Sequence, residues 1–115
     1  MDLFTGGGSG IGRLMAQKLA RLGAVVVTVD VNAKGNEETA KSIVDAGYRA
    51  HAYTADLSKK EDIDAVAAKV RAEVGNVSIL VNNAGVVSGK AFLELTEGKS
   101  LLFYWCYCCR EYLIN

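Results

Sequence analysis

Hydrophobic residues follow two different patterns in the first 81 positions of the chain. Four short segments, at residues 2–5, 24–29, 48–55 and 77–81, have the length and composition typical of β-strands. The run AVVVTV at 24–29 is rich in β-branched residues and shows little alternation, as do strands that are covered on both faces. The pattern therefore predicts four strands, with buried, parallel pairing.

Between the strands, apolar residues spaced three and four positions apart predict amphipathic helices. The helices are expected at residues 11–22, at about 36–46, and from Ser58 to Gly75, where Ser58 and Glu61 form a Ser-x-x-Glu capping box. The residues predicted to face the sheet are Ile11, Leu14, Met15, Leu19 and Leu22 in the first helix, Ala40, Ile43 and Val44 in the second, and Ile63, Val66, Ala67, Val70 and Val74 in the third. Repeated strand–helix alternation predicts a parallel sheet with helices on both faces.

The end of the chain differs in composition from the rest. Residues 101–115 contain five of the nine aromatic residues, the only tryptophan and all three cysteines, and fit neither a helical nor a strand period. We therefore expect one domain over residues 1–100 and an atypical aromatic and cysteine-rich tail over 101–115. Two interpretations of the tail remain open: an alternative or frame-shifted ending, or a partner-binding segment.

Charge and cysteine placement exclude several classes of function. Thirteen basic residues balance thirteen acidic ones, whereas nucleic-acid-binding proteins usually carry a basic excess, so no nucleic-acid partner is expected. Cys106, Cys108 and Cys109 lack the paired spacing and fourth ligand of a zinc site, so no metal is expected. No apolar stretch reaches the roughly 20 residues that span a bilayer, and no signal peptide is recognisable. A reducing, cytoplasmic location is therefore expected for this chain.

The first strand leads through a glycine-rich turn, GGGSGIG at 6–12, into the first helix. Such a turn places backbone N–H groups at a helix N-terminus, where a phosphate can bind, and glycines let the backbone approach a ligand closely. The spacing of Gly6, Gly10 and Gly12 is G-x-x-x-G-x-G, which is neither the G-x-G-x-x-G fingerprint nor a P-loop. A flexible turn without a ligand is the alternative.

Asp30 strengthens the nucleotide hypothesis. It ends the second strand, 18 positions after Gly12, and doubly wound folds place an acidic residue about 20 positions on to accept hydrogen bonds from the adenosine ribose. A carboxylate there also repels a ribose phosphate, and the glycine turn contains no lysine or arginine that would attract one. Both points favour NAD over NADP. The alternative is an aspartate that simply ends a strand.

Three motifs resemble those of the short-chain dehydrogenases/reductases. Residues 5–12 (TGGGSGIG) resemble the TGxxxGIG motif of that family, residues 82–85 match its NNAG motif after the fourth strand, and residues 55–57 (ADL) match its aspartate-containing turn after the third. The resemblance covers residues 3–100. The segments GSGIGRLMAQKLARLGA and GNVSILVNNAGVVSGKAFLEL are most similar to the retinol and 17-β-hydroxysteroid dehydrogenase branch, which includes the epidermal retinal dehydrogenases.

The resemblance implies a fold, an activity and partners. The fold is an α/β class, incomplete Rossmann-like doubly wound sheet with strand order 3-2-1-4. The activity is hydride transfer between NAD(H) and an alcohol or carbonyl compound, and the branch suggests lipophilic retinoids or steroids as substrates. A homo-oligomer is possible by the same resemblance, and full-length members of the branch often reside at the endoplasmic reticulum or on lipid droplets.

The resemblance also assigns cofactor-binding residues. The glycine turn is expected to line the pyrophosphate and the adjoining ribose, and Asp30 to hold the adenosine ribose. Asp56 and Leu57 are expected to flank the adenine. For Asn82 a structural role, tying strand ends together, is favoured over ligand contact. The cofactor-binding residues implied in the motifs are Gly6, Ser9, Gly10, Ile11, Gly12, Asp56, Leu57, Asn83, Ala84 and Gly85.

The sequence departs from the family pattern in its catalytic group. In the family a Tyr-x-x-x-Lys pair supplies the proton donor, and none of the five tyrosines of this chain has a lysine four positions later. No residue is therefore predicted to be catalytic. Two hypotheses follow for the chain: a dehydrogenase of the family type, or a truncated, non-catalytic dinucleotide-binding fragment or interaction module that lacks the Tyr-Lys active site.

Overall fold

The computed structural model describes residues 1–84, which form four strands and three helices. The strands are β1 (Asp2–Thr5), β2 (Val26–Asp30), β3 (Ala50–Thr54) and β4 (Ile79–Val81). The helices are α1 (Gly10–Arg21), α2 (Ala33–Asp45) and α3 (Lys60–Glu73). Every predicted element is therefore present within this range, although the boundaries move by a few residues. The predicted tail at 101–115 lies outside the described residues.

The four strands form one parallel sheet in the order β3-β2-β1-β4, as the family resemblance implies. β1 pairs with β2 on one side, with Leu3 opposite Val27, and with β4 on the other, with Leu3 opposite Leu80. Because all strands run the same way, their carboxyl ends meet at one edge of the sheet. The turns that leave β1, β2, β3 and β4 therefore lie next to one another.

A hydrophobic core lies on each face of the sheet. Leu3 and Phe4, neighbours on β1, point to opposite faces and are both fully buried. On the α3 face Leu3 packs with Val27, Val29, Ala55, Leu57, Ile63, Val66, Ala67 and Val70. On the other face Phe4 packs with Ala16, Ala20, Val26 and Ile43 from β2, α1 and α2. A sheet covered in this way explains the near-continuous apolar run of β2.

The predicted inner face of α1 is confirmed for Met15 and Leu19, which pack against the core, and wrong for Ile11, Leu14 and Leu22. The buried residues of α1 are Gly12, Ala16 and Ala20, whereas Ile11, Leu14 and Leu22 are 70%, 66% and 76% exposed. Met15 and Leu19 lie between the two groups and are partly buried. The small side chains let α1 lie close to the sheet, and helical spacing alone does not distinguish that packed face from the neighbouring face of larger apolar residues.

Two further packing predictions need correction. Val44 was expected to face inward from α2, but it is 52% exposed, while Ala40 and Ile43 are buried as predicted. The last strand was expected to be buried over 77–81, but β4 contains only Ile79–Val81, and Ile79 is 52% exposed. Among the described residues β4 is an edge strand, so only one of its sides is paired.

The predicted capping box of α3 is also wrong. Lys59 is the N-cap residue and makes no side-chain capping bond, whereas Ser58 turns back to the preceding turn. The Ser58 hydroxyl and backbone N–H both donate to Asp56 Oδ1, at 2.6 and 3.0 Å. These two hydrogen bonds lower the pKa of the Asp56 carboxyl below its ordinary value of 3.8. Short polar side chains often bond locally in this way instead of capping a helix.

No helix within residues 1–84 combines the length and the apolar character that a membrane span requires.

Burial distinguishes two isoleucines that both lie in helices. Ile43 of α2 is 2% exposed and Ile11 of α1 is 70% exposed. We expect Ile43→Ala to lower the free energy of unfolding by about 2–5 kcal/mol, because it removes buried methyl groups and leaves a cavity. Ile11→Ala is expected to change it by less than about 0.5 kcal/mol. Urea denaturation measures both, and equal losses would contradict the observed packing of the helices.

The Ser58–Asp56 hydrogen bonds predict a dependence on pH. A carboxyl whose pKa is lowered by folding stabilises the protein above its unfolded pKa, and this contribution is lost as the pH falls through the folded pKa. We expect Ser58→Ala to raise the pKa of Asp56, as measured by NMR titration, and to destabilise the protein more at pH 7 than at pH 3. Ser42→Ala, which removes an exposed hydroxyl bonded to Thr39 O, is the matched control. An unchanged pKa of Asp56 would exclude the Ser58 hydroxyl as a cause of the lowered pKa, since the backbone N–H of residue 58 remains in the variant.

Candidate cofactor-binding site

The carboxyl edge of the sheet brings three of the predicted motifs together. The glycine turn leaves β1, Asp30 ends β2, and the turn at residues 55–57 follows β3. The Ala55 N–H donates to Asp30 O at 3.1 Å, and the Gly8 N–H donates to Asp30 Oδ2 at 2.8 Å. Asp30 therefore contacts both neighbouring turns, which are far apart in the sequence.

The glycine turn passes closely beneath the first turn of α1. Gly6 has φ +70°, which glycine adopts without strain, and its N–H donates to Val29 O at 2.8 Å. A Cβ added at Gly12 would overlap the Gly6 carbonyl and lie 2.5 Å from Asn83 Nδ2. Glycine is therefore required at position 12 because the backbone of the turn fills the space that a side chain would need.

The N-terminus of α1 favours a negatively charged ligand. Ser9 is the N-cap residue, but its side chain makes no capping hydrogen bond, and the first turn of α1 contains no acidic residue. The first N–H groups of a helix have no partner within it, and the helix dipole adds partial positive charge. Ser9, Gly10, Ile11 and Gly12 thus lie where an anion would be stabilised, and the Ile11 side chain is exposed there.

The Asp30 carboxylate is held in one orientation by two backbone donors. Oδ2 accepts from Gly8 N at 2.8 Å, and Oδ1 accepts from Asn32 N at 2.9 Å. An ionised carboxylate has about four lone-pair sites, so each oxygen can accept a further hydrogen bond. Asp30 is therefore both anchored and able to accept from hydroxyl groups of a ligand.

The structure brings residue 83 of the NNAG motif into contact with the glycine turn. The Asn83 side-chain amide donates to Gly6 O at 3.2 Å, and the backbone N–H groups of Asn83 and Ala84 both donate to Thr5 Oγ1 at 3.0 Å. The Thr5 hydroxyl in turn donates to Val81 O at 3.4 Å. A buried threonine at the end of β1 therefore ties the β4 turn to the β1 turn.

This arrangement changes the expectation for two residues. Asn82 was expected to tie the strand ends together, but within the described part of the chain Asn83 makes those contacts and Asn82 is exposed. Leu57 was expected to flank the adenine, and its side chain is 95% buried in the core on the α3 face. Only the backbone of Leu57 is therefore placed to meet a ligand. Gly85, the last residue of the motif, lies outside the described residues.

Asp56, in the turn after β3, forms hydrogen bonds with residues that lie close to it in the sequence. Its N–H donates to Asp62 Oδ2 at 3.0 Å, and Ser58 provides the two hydrogen bonds that lower the pKa of the Asp56 carboxyl. Asp56 is therefore ionised at neutral pH and can accept a hydrogen bond from an amine group.

Of the two tyrosines in the described residues, Tyr53 lies nearer in sequence to this turn, and its hydroxyl is already engaged. Its hydroxyl donates to Glu73 Oε2 at 2.6 Å, and burial together with this bond raises the pKa of Tyr53 to about 12. So high a pKa makes the phenol a weak acid at neutral pH. That no residue of the chain is catalytic stays a prediction.

Sequence reasoning missed the polar side chains that support the turn. Arg13 donates to Gly8 O and to the Thr39 hydroxyl. Thr39 donates to Gly7 O, and Thr5 accepts from the backbone N–H of Asn83 in the turn after β4. Asn36, fully buried in α2, donates to Thr28 O and Tyr53 O and so joins α2 to β2 and β3. Only Thr5 carried a sequence signal, as the first residue of the TGxxxGIG pattern.

Comparisons with known proteins agree with this geometry. The family model for short chain dehydrogenases matches residues 2–101. Human epidermal retinol dehydrogenase 2 is 58% identical over 96 residues, which are 83% of this chain and 31% of the relative. Human estradiol 17-beta-dehydrogenase 11 is 52% identical over 85 residues, which are 74% of this chain and 28% of the relative. The chain thus spans less than a third of the length of these relatives.

A solved structure shows the same fold. A metagenomic short-chain oxidoreductase in complex with NADP superposes with a TM-score of 0.86 and 32% identity, covering 97% of this chain and 52% of that one. The glycine turn, the strand order and the NNAG segment all fall within the matched family region. The chain therefore belongs to the short-chain dehydrogenase family.

Proposed function

We propose that the carboxyl edge of the sheet binds NAD(H) and that the chain carries the cofactor-binding half of an oxidoreductase acting on an alcohol or carbonyl group. The observation that carries the proposal is the anchored carboxylate of Asp30, next to a glycine turn at a helix N-terminus. A carboxylate in this position accepts hydrogen bonds from ribose hydroxyls.

The residues present fit a dinucleotide. The α1 N-terminus, with Ser9, Gly10, Ile11 and Gly12, supplies unpaired N–H groups and no acidic side chain, which suits a pyrophosphate. Asp56 and the Leu57 backbone would flank the adenine. Gly6, Asn83, Ala84 and Gly85 would line the part of the cofactor that crosses from β1 to β4. When bound, the nicotinamide supplies the hydride acceptor or donor.

NAD is favoured over NADP for an electrostatic reason. A phosphate on the adenosine ribose would lie against the ionised Asp30 carboxylate, and like charges at short range repel. Arg13, the basic residue nearest in sequence to the turn, has its guanidinium bonded to Thr39, Gly8 and Gly35. The metagenomic relative was solved with NADP and therefore gives no support for NAD. The proposed preference for NAD rests on the side chains of this chain alone.

The names of the similar proteins support a proposal for the substrate class. The matched proteins are named as retinol and estradiol dehydrogenases, and both names refer to lipophilic alcohols. We therefore propose a retinoid or steroid alcohol, or the matching carbonyl compound, as the substrate of the complete enzyme type.

A second candidate function is a dinucleotide-binding module without catalysis. The observation in its favour is that no tyrosine of the 115-residue sequence is followed by a lysine four positions later. A positioned proton donor contributes about 10²–10⁴-fold to rates of this kind. Cofactor binding does not distinguish the two candidates, whereas turnover does.

The Asp30 proposal predicts cofactor selectivity. We expect the protein to bind NADH more tightly than NADPH, and we expect Asp30→Asn to weaken NADH binding by about 1.5–3 kcal/mol, as for a hydrogen bond to a charged group. NADPH binding should be unchanged or tighter in the variant, because the repulsive charge is gone. Calorimetric titration of both cofactors measures the difference.

The control for this experiment is Asp45→Asn. Asp45 is an aspartate at the end of α2 whose carboxylate pairs with Lys41 at 2.8 Å, and its replacement should leave both affinities unchanged. Equal affinity of the unmodified protein for NADH and NADPH would contradict the assigned role of Asp30.

The absence of a tyrosine–lysine pair predicts that the purified 115-residue chain is inactive. With NAD and all-trans-retinol or a 17-β-hydroxysteroid, we expect no formation of NADH above a heat-denatured control, measured at 340 nm. Turnover that disappears in Tyr107→Phe would contradict this expectation and would identify a different proton donor. Binding without turnover would favour the second candidate function.

A further inference from the structure

We propose that Arg13 is a positioning residue that fixes the glycine turn in its ligand-binding shape by joining it to α2. The proposal rests on the proposed NAD(H)-binding function, since it assigns to Arg13 a role at that same site. Arg13 lies on α1, immediately after the last glycine of the turn, and its side chain reaches across to α2.

The guanidinium of Arg13 makes three hydrogen bonds that join three segments. Nη2 donates to Gly8 O at 2.6 Å in the turn and to Gly35 O at 3.1 Å in α2. Nε donates to Thr39 Oγ1, also in α2, at 2.9 Å. The contacts therefore hold α1, α2 and the turn in one arrangement.

The Gly8 backbone is held from two directions. Its carbonyl accepts from Arg13, and its N–H donates to Asp30 Oδ2 at 2.8 Å. Asp30 is the residue proposed to bind the ribose, so Arg13 and the ribose-binding carboxylate act on the same glycine. Asp30 is also anchored by the Asn32 N–H at 2.9 Å, so we expect loss of the Arg13 contact to free the Gly8 carbonyl without releasing the ribose-binding carboxylate.

A second carbonyl of the turn is fixed through Thr39. Thr39 is fully buried, and its hydroxyl donates to Gly7 O at 2.8 Å while it accepts from Arg13 Nε. The Gly7 carbonyl is thus bonded to Thr39 of α2, and the Gly8 carbonyl to Arg13 of α1. Because carbonyl oxygens carry partial negative charge, bonding them to these two side chains keeps them from turning toward a phosphate.

The geometry requires an arginine and not only a positive charge. A guanidinium presents its donors in a fixed planar fork, whereas an ammonium is a point charge on a flexible stem. Glu38 Oε2 lies 3.6 Å from the same Nη2 of Arg13, and this ion pair is weak because the Glu38 side chain is 55% exposed. Glu38 can therefore be replaced without affecting the three hydrogen bonds.

The test measures binding of NADH, ADP and adenosine to the full chain by titration and competition. We expect Arg13→Lys and Arg13→Met to weaken NADH and ADP by about tenfold or more. Adenosine, which carries no phosphate, should change by less than about twofold. Glu38→Gln, the matched control, should bind all three ligands like the unmodified protein. Circular dichroism and thermal melting establish the folded fraction of each variant.

Thr39→Val provides a second arm that leaves the guanidinium in place. It removes the hydroxyl that lies between Arg13 and Gly7 and keeps a side chain of similar shape, and we expect the same selective loss of NADH and ADP binding. Unchanged NADH affinity in Thr39→Val or in Arg13→Met would overturn the proposal. Full recovery by Arg13→Lys would also overturn it, since charge alone would then suffice.

The outcomes separate this proposal from the proposed function. If the unmodified chain binds no NADH, both fail. If it binds NADH and the Arg13 variants bind equally well, only the role of Arg13 fails. Equal losses for adenosine and ADP would indicate a general loosening of the fold and would overturn a role specific to the phosphate-binding turn.

Discussion

The short central strand β1 is the constraint on which the rest of the structure depends. It has only four residues, lies between β2 and β4, and is buried along its whole length. Leu3 and Phe4 each belong to a different core, and full burial of such side chains stabilises the fold by roughly 1.5–3 kcal/mol each. The burial of β1 therefore fixes where Thr5 ends the strand and where the glycine turn must begin.

The position of β1 also explains why the candidate site is built largely from backbone groups. The chain must leave Thr5, reverse direction and begin α1 at Gly10, and Gly12 then lies against the Gly6 carbonyl. This close approach leaves no room for a side chain at Gly12, and side chains from other parts of the chain hold the turn in place. Asp30, Asn83 and Arg13 each hold one part of it.

The helices and strands could be predicted from the sequence, but which residues they bury and how they are capped could be predicted only in part. The β-branched run of β2 predicted a doubly covered strand, and the structure confirms it in the two cores. In α1, helical spacing identified Met15 and Leu19, which pack against the core, but also the exposed Ile11, Leu14 and Leu22. It did not identify the most buried residues of the helix, among them Ala16 and Ala20. Periodicity identifies large apolar residues, while close packing on a sheet selects small ones. Ser58 failed as a cap because Asp56 competes for its hydroxyl.

In the candidate site, too, the residues of local motifs could be predicted, whereas the contacts between distant residues could not. The glycines, Asp30 and the NNAG segment could be found because each occupies a fixed place within a local motif. Arg13 and Thr39 are 26 residues apart, and Asn83 and Gly6 are 77 apart, so no local pattern records their contacts. The Arg13–Thr39 contact depends on the packing of α1 against α2, and the Asn83–Gly6 contact on the pairing of β1 with β4. The geometry of the glycine turn is thus a consequence of the whole fold, and the glycine motif supplies only residues that can adopt that backbone conformation.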